Sequence, residues 1–167
     1  MVCTDASQAM IDQCERKCQN GEKNLKFLKS KLPEIPFEEN TFDVVMNNFV
    51  VHHIVKPIFN EGTKNWSVED WSPLMDTINN VSKVLKKKGL FIMMYATPEQ
   101  VSAQWFAHLV PFSHARAKST YPEKSQINSY FKKAGLKKMF EFMPSSSIIG
   151  EKYDDEEIFL KVLSRKY

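Results

Sequence analysis

The side chains best suited to chemistry sit at the ends of short apolar runs. Asp5 follows Val2-Cys3-Thr4 and is followed by Ala6 and Ser7. A carboxylate there can accept two hydroxyl protons side by side, or it can cap the helix that follows. Asn47-Asn48 interrupts an apolar stretch that starts at Phe42 and ends in His52-His53. Imidazole titrates near neutrality, so His53 can act as a substrate-side polar group or general base; the plainer alternative is that it fixes the segment after it. Cys14 and Cys18 share one face of a predicted helix, but no further ligand lies near them in sequence, which favours core packing over zinc.

The elements that must position these groups alternate between strand and helix, favouring a largely parallel sheet with helices on its faces. Val2-Cys3-Thr4 reads as a strand stub. Ser7 caps a helix from Gln8 to Cys18, with Met10, Ile11, Cys14 and Cys18 inward and Asn20-Gly21 at its end. Asn24 to Leu28 is a second strand, Lys29 to Asn40 a loop, and Phe42 to Met46 a third strand. Residues 54–71 are irregular, with Trp66 and Trp71 as a flap or as surface anchors. Ser72 caps a helix with Pro73 in its first turn and Leu74, Ile78, Val81 and Leu85 on one stripe. Lys86-Lys87-Lys88 fills its last turn, and Gly89 stops it.

Leu90 to Tyr95 follows as a buried strand, apolar on both faces; Val44, Val45, Leu90, Phe91, Ile92 and Met93 are its expected deep core with the third strand. Thr97-Pro98-Glu99-Gln100 starts a helix through about Leu109. Pro111 to Thr120 is a connector, and Pro122 to Ala134 a helix with Ile127, Tyr130, Phe131 and Ala134 inward. Leu136 to Phe142 and Ile158 to Ser164 are the last strands, separated by a polar excursion from Ser145 to Glu157.

A length of 167 residues suits one domain, residues 1–167. The balance of 23 Lys+Arg against 20 Asp+Glu gives a net +3, too little to argue for nucleic acid or an anionic membrane. The lysines at 83–88 and 132–138 lie near helix ends, where they complement the dipole and solvate the surface. Three cysteines and an N-terminus without a basic-then-apolar pattern point to a reduced, cytoplasmic setting.

In order, these segments resemble class I S-adenosylmethionine-dependent methyltransferases of the type 11 kind. Pro36-Phe37, the acidic turn and Thr41-Phe42-Asp43-Val44-Val45 are similar to the family's loop and fourth strand. Val84-Leu85-Lys86-Lys87-Lys88-Gly89 resembles the turn into its fifth strand, with lysines in place of Pro-Gly. Ala134-Gly135-Leu136 resembles a late helix end. Val2 through Met10 resembles the family's strand-Asp-x-Ser-x-x-Met phrase.

The resemblance implies a Rossmann-like α/β sheet and gives residues provisional roles. Asp5 would accept from the cofactor's ribose, with Ala6 beside the adenosine. Lys31 falls where the family places an acid for the adenine amino group; lysine only donates, which leaves the Leu32 backbone N–H to meet adenine. Asn47 would lie along the cofactor's methionine part, and His53, Tyr95 and Trp105 would face substrate. Methyl transfer from a sulfonium needs mainly alignment, so no catalytic side chain is assigned.

None of the five glycines forms Gly-x-Gly, and the family's first strand and Gly loop would precede Met1. The resemblance therefore implies an N-terminally incomplete domain that binds the cofactor weakly or not at all. The small-molecule acceptor would sit under the aromatic segments at 54–73 and 96–120. The alternatives are a non-catalytic partner module, associating through an open sheet, and a nicotinamide-dependent oxidoreductase. The Phe42-Asp43-Val44-Val45 segment and the Leu85-to-Gly89 turn argue against the latter.

Overall fold

Two parallel strand pairs frame the molecule, each made where a short apolar run meets its match. The computed structural model describes residues 1–18, 24–104, 107 and 109–142. Strand β1 (Val2–Asp5) pairs in parallel with β2 (Lys26–Lys29), and α1 (Gln8–Cys18) connects them and packs on the pair. Strand β3 (Phe42–Asn48) pairs in parallel with β6 (Leu85–Met94). Between these lie a 3-10 turn (Val51–His53), a hairpin of β4 (Ile58–Asn60) and β5 (Asn65–Ser67), and α2 (Ser72–Val84). Three further helices follow: α3 (Pro98–Ser102), α4 (Pro111–Ser119) and α5 (Lys124–Lys133).

The chain divides into two compact units, Met1–Lys137 and Lys138–Tyr167. All the elements above belong to the first.

The helical stripe of α2 does what its spacing predicts. Leu74, Ile78, Val81 and, just past the helix, Leu85 are all buried. Leu74 and Ile78 meet Val51 and Val55 from the turn after β3, and Ile127 from α5. Tyr130, Phe131 and Ala134 of the α5 region pack against this cluster as expected, together with Phe91 and Met93 of β6. Gly135 takes φ of +73° beyond the helix end, a conformation glycine enters without a Cβ penalty.

Several expectations need correction. Val44 and Leu90 are not deeply buried. The pleat puts Val44 and Met46 on one face of β3, 53% and 57% exposed, while Val45 and Asn47 turn to the face that α2 covers. Among the described residues no helix packs on the Val44 face, so Leu90 and Met94, in register with Val44 and Asn48, stay exposed too. Phe91, Ile92 and Met93 are only half-buried. Met10, assigned to the inner face of α1, is exposed; Ile11 alone in that helix is fully buried.

Helix α2 stops at Val84, and the lysines belong to β6. Leu85 turns extended because it gains both burial and a ladder position opposite Phe42. Lys86 then pairs with Asp43 at 2.9 Å, an exposed pair of little energetic weight. At Gly89 a Cβ would sit 2.9 Å from the Lys86 carbonyl oxygen, so the tight return needs glycine. Ser72 does not cap α2. Asp70 does the nearest equivalent, its Oδ1 accepting the Ser72 N–H at 2.8 Å. The Ser72 side-chain hydroxyl first, and this backbone bond second, hold the Asp70 carboxyl below its ordinary value.

The helix from Thr97 is shorter than expected, ending at Ser102, although the capping box forms as read, with Thr97 and Gln100 exchanging side-chain bonds. The supposed connector after it is α4, launched by Pro111 in its first turn. Residues 136–142 form no strand, since no neighbouring strand among the described residues supplies backbone partners. The strand at Ile158 to Ser164, the Ser145 to Glu157 excursion and the Asn20-Gly21 stop lie outside the described residues.

Candidate functional site

Parallel sheets present ligands at the carboxyl ends of their strands. At that end of β1, the Asp5 carbonyl oxygen accepts the Ser30 N–H at 3.0 Å, which ties the β1 exit to the β2 exit. The Asp5 Oδ1 accepts the Ser7 N–H at 2.7 Å, and Ser7 Oγ accepts from Met10 N–H at 3.4 Å. Asp5 thus shapes the turn into α1 with one oxygen. The other accepts nothing among the described residues, and the side chain is exposed. Ala6 is exposed beside it. Lys31 is exposed, its carbonyl closing a turn to the Glu34 N–H at 3.0 Å. The half-buried Leu32 donates its N–H to no group among the described residues.

At the carboxyl end of the second pair, Asn47 stands in register with Met93. It is 8% exposed, and its Oδ1 is fully buried without a hydrogen-bond partner. Phe49 then closes the ladder by donating its N–H to the Met94 carbonyl at 2.9 Å. It does so at φ of +50°, a left-handed conformation that a bulky residue rarely holds and that costs on the order of 1–3 kcal/mol. Tyr95, next along β6, is half-buried against the core cluster.

His53 is exposed, whereas His52 turns inward. The His52 ring stacks on Tyr121 with centroids 4.6 Å apart, and its Nδ1 is buried without a partner. Burial, and then the neighbouring His53 ring 3.9 Å away, push the His52 pKa below its ordinary value. Burial also raises the Tyr121 phenol. His52 and the strained Phe49 are the groups that residue type and spacing missed. The first is hidden by its twin, the second by a backbone angle that has no sequence signal.

The structure therefore gathers Asp5, Ala6, Lys31 and Leu32 at one strand-pair exit, and Asn47, Tyr95 and His53 at the other. No strand pairing joins β1 to β3 among the described residues. Trp105 lies outside those residues. No group of three or more His, Cys, Asp or Glu among them could hold a metal ion. No described helix is long and apolar enough to cross a membrane.

The depressed His52 pKa has a stability consequence. Between the folded value and the unfolded value of about 6.5, the unfolded chain binds more protons, so stability rises with pH through that window. It is complete above the unfolded value and is lost as pH falls. The melting temperature is expected to drop when pH goes from about 7 to 5, and His52→Gln should flatten that part of the profile. An equally steep profile in the variant would assign the effect elsewhere.

Residues 1–93 match the model of a methyltransferase domain. An uncharacterized methyltransferase, YcgJ of Bacillus subtilis, is 24% identical over 108 residues, covering 63% of this chain and 36% of that protein. The crystal structure of YcgJ superposes on 80% of this chain and 50% of its own, with a TM-score of 0.53 and 21% identity. A SAM-dependent methyltransferase from Aquifex aeolicus superposes with a TM-score of 0.54 at 16% identity, over 80% of this chain and 57% of that one. A putative methyltransferase of Haloferax volcanii, solved in complex with the Trm112 methyltransferase activator, gives 0.55 at 18% identity, over 80% and 49%. The chain thus spans between about a third and somewhat over half of these relatives' lengths.

Proposed function

The chain belongs to the methyltransferase domain family and has its Rossmann-like fold, and from that premise we propose that it carries part of a site for S-adenosylmethionine-dependent methylation of a small molecule. The observation that carries this reading is Asn47. A fully buried acceptor with no donor, at the ligand end of a parallel pair, is costly unless a bound group supplies the missing hydrogen. The strained Phe49 two residues on points to the same place.

The residues present fit the cofactor in part. The second oxygen of Asp5 suits a ribose hydroxyl, the Leu32 N–H suits an adenine ring nitrogen, and Asn47 suits the amino-acid portion. Lys31 does not fit an adenine amino group, since both are donors. When bound, the cofactor supplies a methyl group on a sulfonium, ready for attack. The chain's own task is to hold the partners in line and keep water out. The acceptor side falls to Tyr95 and the 3-10 turn with His53 and its inward neighbour His52. Trp105 is proposed for that side on sequence alone. Cys3, Cys14 and Cys18 form no disulfide among the described residues, which suits a reducing cytoplasm.

Binding by this chain is expected to be weak, because no Gly-x-Gly segment brings backbone close to the cofactor. Amide NMR shifts with millimolar S-adenosylmethionine test the reading. Shifts should appear at residues 5–7, 31–32 and 47–49. Asp5→Ala should abolish those at 5–7, and Asp5→Asn should retain them in part, because an amide oxygen still accepts. Asp5→Ala should also cost about 1 kcal/mol of stability through the lost turn. Shifts that avoid both strand exits, or that persist unchanged in Asp5→Ala, would sink the proposal.

A second reading, a non-catalytic partner module, is favoured by the exposed Val44 and Met46 on β3, whose other edge carries no strand among the described residues. The similar Haloferax volcanii protein, a putative methyltransferase, was solved in complex with the Trm112 methyltransferase activator. Concentration-dependent sedimentation relieved by Met46→Lys would support it here.

A further inference from the structure

Helix α1 carries Cys14 and Cys18 one turn apart. Side chains at i and i+4 share a helix face, with Cβ atoms about 5–6 Å apart. Ile11, three residues before Cys14, takes the fully buried place on α1, whereas Met10, four residues before it, is exposed. The two cysteines lie at the margin between these surroundings, and each is half-buried. Spacing alone favoured core packing, but neither thiol is sealed in the core. Neither forms a disulfide or has a hydrogen-bond partner among the described residues.

We infer that Cys14 and Cys18 form a two-coordinate site for a soft monovalent cation, with Cu(I) as the ion it holds. Three alternatives are set aside by geometry and ligand count. A disulfide needs Cβ atoms about 3.5–4.5 Å apart, so closing one here would distort the helical turn. Four-coordinate zinc needs two further ligands, and no group of three or more His, Cys, Asp or Glu among the described residues could hold a metal ion. Core packing alone leaves the half-exposure of both sulfurs unexplained. Two thiolates can by themselves satisfy a soft ion of low coordination number, and thiolate ligands select Cu(I) among such ions. With about 2.3 Å as the scale of a metal–thiolate bond, a linear S–Cu–S unit spans about 4.6 Å. Sulfurs one bond beyond Cβ atoms about 5–6 Å apart reach that separation by rotation about χ1. Binding exchanges two S–H protons for two S–Cu bonds with no change of oxidation state, so affinity rises with pH. The unit carries one net negative charge, and the exposed Lys17, three residues from Cys14, lies on the same side of the helix to meet it. The site is independent of the methyl-transfer reading.

The test titrates the reduced 167-residue chain with Cu(I) in the absence of oxygen, against a chromogenic Cu(I) chelator. A single Cu(I) should bind per chain. Cys14→Ser and Cys18→Ser should each weaken it by about a hundredfold or more, and Cys3→Ser should leave it within about twofold. Arg16→Cys combined with Cys18→Ser keeps two thiols on α1 but sets them two residues apart, where side chains do not face each other. That chain should bind as weakly as the single variants. In the wild-type chain, saturating Cu(I) should protect Cys14 and Cys18 from iodoacetamide while Cys3 reacts as before. Peptide masses resolve the three sites, and this readout needs no variant to fold.

Unchanged labelling of Cys14 and Cys18 in the presence of Cu(I) would overturn the inference. So would wild-type affinity in the chain with the shifted thiol, or loss of binding in Cys3→Ser. Zn²⁺ held as tightly as Cu(I) would overturn it too, because that requires ligands beyond the pair.

Discussion

Leu74→Ala should destabilise the chain by about 2–5 kcal/mol, the range for emptying a buried leucine site. Leu74 has no exposed surface and sits in the first turn of α2, where it meets Val51, Val55, Ile78 and Ile127. It thus joins the turn after β3 to α2 and α5. Collapse into the vacated space is opposed by two helices and by the ladder beneath, so the cavity term should persist. Leu74→Met, which conserves volume, should cost less than about 1.5 kcal/mol. Urea unfolding of the variants measures both. The truncation should also reach the site, because Val51 opens the turn that carries His52, so His52 amide protection should fall along with global stability. A loss below about 1 kcal/mol would mean that this cluster is not the core that the burial indicates.

The parts of the fold legible in the sequence were those fixed by local chemistry or by a strong apolar period. The start of α1, the α2 stripe, the inward face of α5, Gly135 past its end and the Thr97 capping box all fall into that class. Strand β3 was legible from its apolar run, though it extends to Asn48. What misled was competition with tertiary structure. Lys86-Lys87-Lys88 has a helix-end composition, yet the backbone there follows Leu85 into a ladder with β3. Helix α4 shows no apolar stripe and buries none of its residues fully, so period gave no signal; Pro111 was the one available clue. The hairpin of β4 and β5 is held by a cluster of Phe59, Trp66 and Phe112, whose centroids lie 5.1 to 5.5 Å apart, a contact that spans 53 residues of sequence and cannot be read from either end.

Burial of the strands was over-read for a related reason. Runs apolar on both faces announce a strand built to be covered twice, and α2 with α5 covers β3 and β6 on one side among the described residues. The candidate site was legible as positions but not as states. Asp5 and Asn47 lie at strand exits as the resemblance implied, yet only coordinates could show that Asp5 divides its oxygens between a turn and open space. The choice between His52 and His53 was likewise invisible, since adjacent identical residues differ only in the direction the turn gives them.

Asn47→Leu separates a structural asparagine from a ligand-facing one. If Asn47 served the fold, removing its amide would cost stability. Instead its Oδ1 is buried with no donor, a state worth about 1–3 kcal/mol of unrecovered desolvation. Leucine has nearly the same shape and no polar atom, so the substitution should raise stability by about 1 kcal/mol. Packing favours it too, since Asn47 shares its face of the sheet with Val45 and stands opposite Met93. Asn47→Asp should do the opposite at neutral pH, since it buries a carboxylate with no cation and no donor, and the loss should shrink as pH falls and the acid protonates. The functional readout must then run against the stability readout. Leucine cannot accept a hydrogen bond, so the S-adenosylmethionine shifts at 47–49 should vanish in a protein that melts higher than wild type. Proteins keep such costly groups where binding requires them. A leucine variant that melts lower would show that the Asn47 oxygen is satisfied within the folded chain. It would also remove the observation on which the methyl-transfer reading rests.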